Sequence, residues 1–440
     1  MLKRLLAILA ILSFYGTTYG QDFSIDAQVK PRYEHRNGFG QLRPTDNNAD
    51  RPADFVSQRT RIRMLFNDKS EKFRMGFSMQ DVRTWGEIGN FDSKDNGNFN
   101  IHEAWGELLF TDAFSVKVGR QEISYDDQRI FGAVDWAQQA RSHDAAIFKY
   151  EKGFKLHAGF AISTFGESNY YIENDGNAYK AMQYLWFHKD FENFKLSGLF
   201  LNNGVEQNTT NAATPQPADF ETVYSQTLGA HGEWRPGKFG LNASFYYQFG
   251  KTGAAKQDIS AYNALLELLF NANEKLGFIV GGEMLSGTAY DETETYMTFN
   301  PFYGTNHKFN GHMDYFYVGG RMPRGGLTDL YVGATYKFDK DWNVYGRYHY
   351  FASAATIADN NGNELDSGLG SEIDLIINYK FNKYITIQGG WSGMFATDSM
   401  VYSTAQNNAG DPNKFNNWGW MGLVIKPTLF TTKKKEVAAN

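Results

Sequence analysis

Cysteine is absent from all 440 residues. That excludes a disulfide framework and also a lipid-modified cysteine behind a cleaved leader. After the first twenty residues no apolar run reaches the ~18 residues that a membrane-crossing helix requires, and the mean hydropathy is −0.50. Helical spans are excluded. No stretch rich in proline or serine interrupts the chain, so no linker divides it. HExxH, GxSxG, P-loop and cysteine-based metal patterns are missing. The nine histidines are scattered, and the neighbours Ser142 and His143 lack triad geometry. No segment resembles a nucleic-acid module. Neither an enzyme, a cofactor, a metal site nor a nucleic-acid partner is expected. Turns such as "NDGNAY" and "DNNGNELD" have the Asn/Asp/Gly composition of calcium loops, and of ordinary turns. The formal net charge of −6 says less about partners than where the charges lie.

Aromatic residues and glycine are plentiful: 36 Phe, 26 Tyr and 44 Gly. Aromatic girdles and glycine-bearing strands account for this better than an enzyme core does. Met1 to Gly20 has the order of a secretory signal, with Lys3 and Arg4, then "LLAILAILSF", then small residues. Export is implied, and residues 1–20 are expected to be removed. The next stretch, "FSIDAQVKPRYEHR", alternates. Phe23, Ile25, Ala27, Val29, Pro31 and Tyr33 share one parity, and Ser24, Asp26, Gln28, Lys30, Arg32 and Glu34 share the other. Period-2 alternation specifies a strand with one apolar and one polar face.

About 18 such segments follow one another, from 23–34 to 416–426, in line with the even strand numbers of bacterial barrels. Short links ("NDKS", "TDA", "KG", "RPGK", "DKD", "NK") alternate with long polar ones at 37–54, 85–98, 203–222, 287–327 and 352–369. A sandwich has no reason to sort its loops by parity, whereas an outer-membrane barrel has short periplasmic turns and longer external loops. Trp234, Phe338, Trp342, Phe381 and Tyr384 stand beside the short links, where amphipathic rings meet the membrane interface. The fold class is therefore all-β: a transmembrane antiparallel β-barrel of about 18 strands over residues 21–430, with a polar tail at 431–440. Its apolar face meets lipid and its polar face a wet lumen.

The second segment, "FVSQRTRIRMLF", sets Arg59, Arg61 and Arg63 on one face as a ladder with ~7 Å steps. Neighbouring strands add Lys30, Arg32 and Arg74. Guanidinium is permanently charged and matches carboxylates with paired donors. Two readings fit: an anion-conducting wall, or a structural network neutralised by Asp26, Glu34, Asp81, Glu103, Glu107 and Glu283.

The densest motif is "GRQEISYDDQRIFGAVDWAQQARSHDA", Gly119 to Ala145. With "VSQRTRIRM" and "KPRYEHR", it resembles the alginate-export family of outer-membrane porins, and the remaining strand order is compatible over nearly the whole mature chain. The resemblance implies an 18-stranded barrel with an arginine-rich lumen that passes a polyuronate. Carried over by residue, it implies that Arg59, Arg61, Arg63, Arg120, Arg129 and Arg141 line the lumen and its constriction. Asp126, Asp127, Asp135 and Asp144 would shape or neutralise that constriction. The ending "WGWMGLVIKPTLFTTKKKEVAAN" departs from the terminal aromatic usual in bacterial barrels.

The expected function is passive passage of an acidic solute through the bacterial outer membrane, either an anionic polysaccharide or an acidic oligosaccharide. The expected partners are outer-membrane lipid, that solute and, for export, periplasmic proteins. A differently selective porin and a barrel enzyme remain as alternatives. The link 287–327 is too long and too aromatic for a freely solvated loop. It is expected to fold over or into the mouth, with Arg321 or Arg324 offered to the solute, or else to form an external cap.

Overall fold

The computed structural model describes residues 21–89, 98–164, 166–169, 179–208, 220–253, 255–403 and 410–433. The expected signal, and all of the tail beyond 433, lie outside them. Among the described residues twenty strands run in order: β1 (Gln21–Asn37), β2 (Ala53–Asp68), β3 (Phe73–Thr84), β4 (Phe99–Leu109), β5 (Phe114–Gln121), β6 (His143–Glu151), β7 (Lys155–Ile162), β8 (Ala181–Asp190), β9 (Phe194–Asn208), β10 (Phe220–Trp234), β11 (Phe239–Lys251), β12 (Asp258–Asn271), β13 (Leu276–Leu285), β14 (Thr295–Tyr296), β15 (Leu327–Lys337), β16 (Trp342–Ala352), β17 (Gly368–Lys380), β18 (Ile385–Ala396), β19 (Asn416–Ile425) and β20 (Thr428–Thr431). All except the short β14 and β20 join into one antiparallel cylinder of 18 strands, closed where β1 pairs with β19.

The tight turns carry their own chemistry. Asp68, Asn273, Asp339 and Asn382 each accept backbone N–H groups two and three residues on, the Asx-turn geometry that favours these residues. Every such turn lies at the same end of the cylinder. The outer face is apolar in the way that only lipid tolerates: Leu228, Phe245, Leu266, Leu268, Val280 and Leu330 are each more than half exposed. Rings pair around the turn end, with Trp342 stacked on Tyr379 at 4.1 Å and Phe239 against Phe270 at 5.1 Å.

Two boundaries differ from the sequence reading. β9 and β10 reach Asn208 and Phe220, into the stretch read as a loop. The backbone ladder continues through it, with Val205 opposite Val223 and Glu206 opposite Thr222, and Glu206 pairs with Lys180 at 2.8 Å, so low apolar content does not end the ladder. The last strand is interrupted at Pro427, which has no N–H to donate, and resumes as β20 beside Ser24–Asp26. Phe430 there meets Phe23, with ring centroids 6.1 Å apart.

The core sits inside the cylinder. The connections 122–142 and 286–326 turn inward and bury Ile123, Phe131, Phe299, Tyr303, Met313 and Phe316. These pack on inward-facing Tyr184, Leu201, Tyr246, Phe351, Met394 and Trp418. The long link 287–327 thus enters the barrel, where its aromatic content finds a partner surface.

Candidate functional site

The two inward loops are zipped together. Phe131 and Tyr303 form a parallel bridge. The Gly132 N–H donates to the Tyr303 carbonyl at 2.9 Å, and the Thr305 N–H donates to the Gln128 carbonyl at 3.0 Å. Gly132 has to be glycine, because a Cβ there would collide with Thr305. The Thr305 hydroxyl, 2.7 Å from the Gln128 side-chain oxygen, completes the contact.

Most of the cations singled out in the sequence hold these loops. Lys30 donates to the Asp135 carbonyl at 2.6 Å, and Arg59, fully buried, meets the Asp135 carboxylate at 2.6 Å. Arg32 donates to the Trp136 carbonyl at 2.7 Å and lies 4.0 Å over its ring. Arg129 pairs with buried Glu283 and donates to Asn310 at 3.2 Å. Arg141 donates to the Gly304 carbonyl at 3.1 Å. Surrounding protein raises the Asp135 pKa, but the charges of Lys30 and Arg59 outweigh it and hold the carboxyl below its ordinary value. At the other loop the Met313 N–H donates to Glu372 at 2.8 Å. His307 meets Asp314 at 2.6 Å and stacks on Trp136 at 4.4 Å.

Arg61, Arg63 and Arg74 continue along the β2–β3 wall toward the turn end. Arg61 is 3.6 Å from Glu122, Arg63 3.7 Å from Glu103 and Arg74 3.5 Å from Glu107. In the last two pairs the arginine is 44% and 45% exposed while its carboxylate is at most 9% exposed. Each pair is neutral, but the face it turns to water is positive.

Arg120 and Asp144 are a correction to the lumen set. They pair at 2.8 Å on the parity of Val118 and Phe148, two exposed residues of the outer face. Strand alternation carries them away from the interior. Asp81 likewise pairs with Arg83 on the parity of Met75. Asp126 accepts the Trp186 indole N–H at 3.0 Å, and Asp127 accepts the Arg129 N–H at 3.0 Å. Arg321 donates to the Val318 carbonyl at 3.3 Å, and Arg324 to that of Glu292 at 2.6 Å, both within their own loop.

Opposite the basic wall lies a cavity of about 590 Å³ bounded by strands β10–β13 and β15–β19 and by residues 126–127, 136, 307–310 and 312 of the two inward loops. Its cations, Arg347 and Lys308, were not singled out in the sequence. The signal was available in "NVYGRYHYF": Tyr348 and Tyr350 are exposed outward, so alternation turns Arg347 and His349 inward. A smaller space of about 250 Å³ borders Arg61, Arg63, Glu103 and Asp135. Among the described residues no group of three or more His, Asp or Glu is arranged to hold a metal ion.

This barrel, narrowed from within, is an outer-membrane channel. Several solved porins share its fold. OccAB4 of Acinetobacter baumannii superposes with a TM-score of 0.60 at 13% identity, covering 94% of this chain and 99% of that one. OpdK of Pseudomonas aeruginosa, crystallised with vanillate, gives 0.61 at 11%, covering 92% and 98%. A BenF-like porin from Pseudomonas fluorescens Pf-5 gives 0.59 at 12%, covering 92% and 99%. At these identities the likeness shows the fold alone. No curated protein matches by sequence. A family model described as alginate export matches residues 20–407, and the chain belongs to the alginate-export family of the bacterial outer membrane.

Proposed function

We propose that the channel passes small acidic solutes and short acidic oligosaccharides by diffusion, entering or leaving past the β2–β3 wall. The observation that carries this reading is the asymmetry of the ion pairs at the turn end. Arg63 and Arg74 stand half exposed over buried carboxylates, so a passing anion meets donors first. Two loops packed inside the cylinder favour short chains over an extended polymer, since the described spaces measure about 590 and 250 Å³. OpdK was crystallised with a carboxylate, vanillate, and a channel of this fold has room for such a molecule. The rival reading, a charge network that only neutralises the interior, is favoured at Arg59 and Arg129, which are buried and paired.

Planar-bilayer recording tests the proposal. Wild type is expected to be anion-selective in a KCl gradient, and the triple variant Arg61→Ser, Arg63→Ser, Arg74→Ser to shift the reversal potential toward cations. The shift is expected to shrink at 1 M salt, where the Debye length is about 3 Å. A cation-selective wild type would refute the acidic-solute reading and leave the channel.

A further inference from the structure

We infer that a cavity of about 390 Å³ at the loop end, between strands β9–β12 and the inward loop 286–326, binds one uncharged aromatic ring carrying a hydrogen-bond acceptor. The site is separate from the arginine ladder, and its ligand class does not depend on the ion selectivity of the channel.

Its position follows from the strands. Asn203 and Val205 lie toward the end of β9, Ser225 toward the start of β10, and Gln248 and Ile259 on β11 and β12 next to the link that joins them, all far from the tight turns. The inward loop closes the other side with residues 296–302. Two contacts fix that loop to the wall. β14 pairs in parallel with Asp258 and Ile259. The Gln248 amide donates to the Asn300 carbonyl at 2.7 Å while its oxygen accepts the Asn300 N–H at 2.9 Å. Phe302 then stands at φ +41°, a left-handed conformation that a bulky side chain rarely adopts. The Asn300 side chain holds it there by accepting the Phe302 N–H at 2.9 Å. Strain of this kind persists only where the surroundings impose it, and it gathers at ligand clamps. The cavity is thus built before a ligand arrives, and its volume falls within the ~300–1,000 Å³ of ordinary small-molecule sites.

The lining decides what enters. Among the described residues it holds one charged side chain, Lys251, which Asp258 already pairs at 2.7 Å. A carboxylate would find no unspent cation. Val205, Ile259 and Phe302 are apolar, so a sugar ring would press several hydroxyls against groups that cannot bond them, at a cost for each. Polar groups nearby are spent on the fold: the Thr298 hydroxyl donates to the Arg324 carbonyl at 2.5 Å, and Gln248 is committed to Asn300. Asn203 is the exception. Its oxygen accepts the Tyr303 hydroxyl, but its Nδ2 is buried with no partner among the described residues. The unmet need is one acceptor in an apolar, ring-bearing space. An aromatic amide, ketone or aldehyde supplies both.

Equilibrium dialysis tests this, with radiolabelled benzamide and the full-length protein in amphipol, counted against protein-free amphipol. Benzamide is expected to saturate at one molecule per chain, and benzoate and glucose to compete at least tenfold more weakly than unlabelled benzamide. Ile259→Trp, which fills the cavity from β12, is expected to weaken binding tenfold or more. Asn203→Asp keeps the oxygen for Tyr303 and removes the Nδ2 donor, and is expected to weaken it at least threefold. Heat-modifiable migration on gels identifies variants that have folded. Benzamide bound no better than benzoate or glucose, or bound equally by folded Ile259→Trp or folded Asn203→Asp, would overturn the site.

Discussion

Arg59 and Arg63 stand four residues apart on one face of β2 and do different things. Arg59 is fully buried under the 122–142 loop, and Arg63 is half exposed toward the turn end. Replacing Arg59 by Ala is expected to leave Asp135 held by Lys30 alone and raise current noise, whereas Arg63→Ser moves ion selectivity with a quiet baseline; fluctuation analysis separates the two. Arg129 and Glu283 are both buried, so Arg129→Ala strands a charge, at a cost of about 3–5 kcal/mol. Its folded band is expected to melt at lower temperature in a gel-shift series, and a melting point equal to wild type would show that the pair carries no load. The arginine ladder was legible in the sequence because alternation alone sets side-chain direction. Its burial was not, because that depends on a loop some 75 residues further along the chain.

At the scale of elements, strands were legible and loops were not. Eighteen alternating segments match the eighteen barrel strands, since a sheet with lipid on one face needs period-2 patterning throughout. The two inward loops have no period. Only the density of aromatic residues in 287–327 hinted at burial, and nothing in "DWAQQARS" announces that Trp136 packs between Arg32 and His307. Deleting Asn300–Arg324 is expected to raise single-channel conductance, and an unchanged conductance in a folded variant would mean that the segment does not narrow the path. The same loop should respond to acid. Burial lowers His312 to about 4, against the pull of Asp374 on β17, with His307, His349 and Arg347 adding to the lowering. A released loop regains the ordinary histidine value near 6.5. The released state therefore binds the extra proton first, and loop docking weakens as pH falls from about 6.5 to about 4. Conductance is expected to rise over that interval, and His312→Asn to flatten the rise. Asp135 is lowered as well, so its contribution is also lost in acid, but only below the ordinary aspartate value near 3.9 and as pH falls through its depressed value. The 122–142 loop should thus stay docked when the other loosens.

For the molecule as a whole, a cylinder made of one sheet has a seam where its ends meet, here between β1 and β19. Trp136 lies across that line from within: Arg32 of β1 covers its ring, and Trp418 and Trp420 of β19 pack against it with centroids 5.6 and 4.7 Å away. A hoop under load parts at its seam, so an internal brace at this place acts on the rate of rupture more than on the shape of the vessel. Contacts that form late in assembly slow unfolding without hastening folding, and a brace delivered after the cylinder has been laid out is of that kind. Trp136→Ala should leave the barrel intact at rest yet shorten its lifetime in hot detergent. The residue that helps narrow the passage is then also the one that keeps the wall from coming apart.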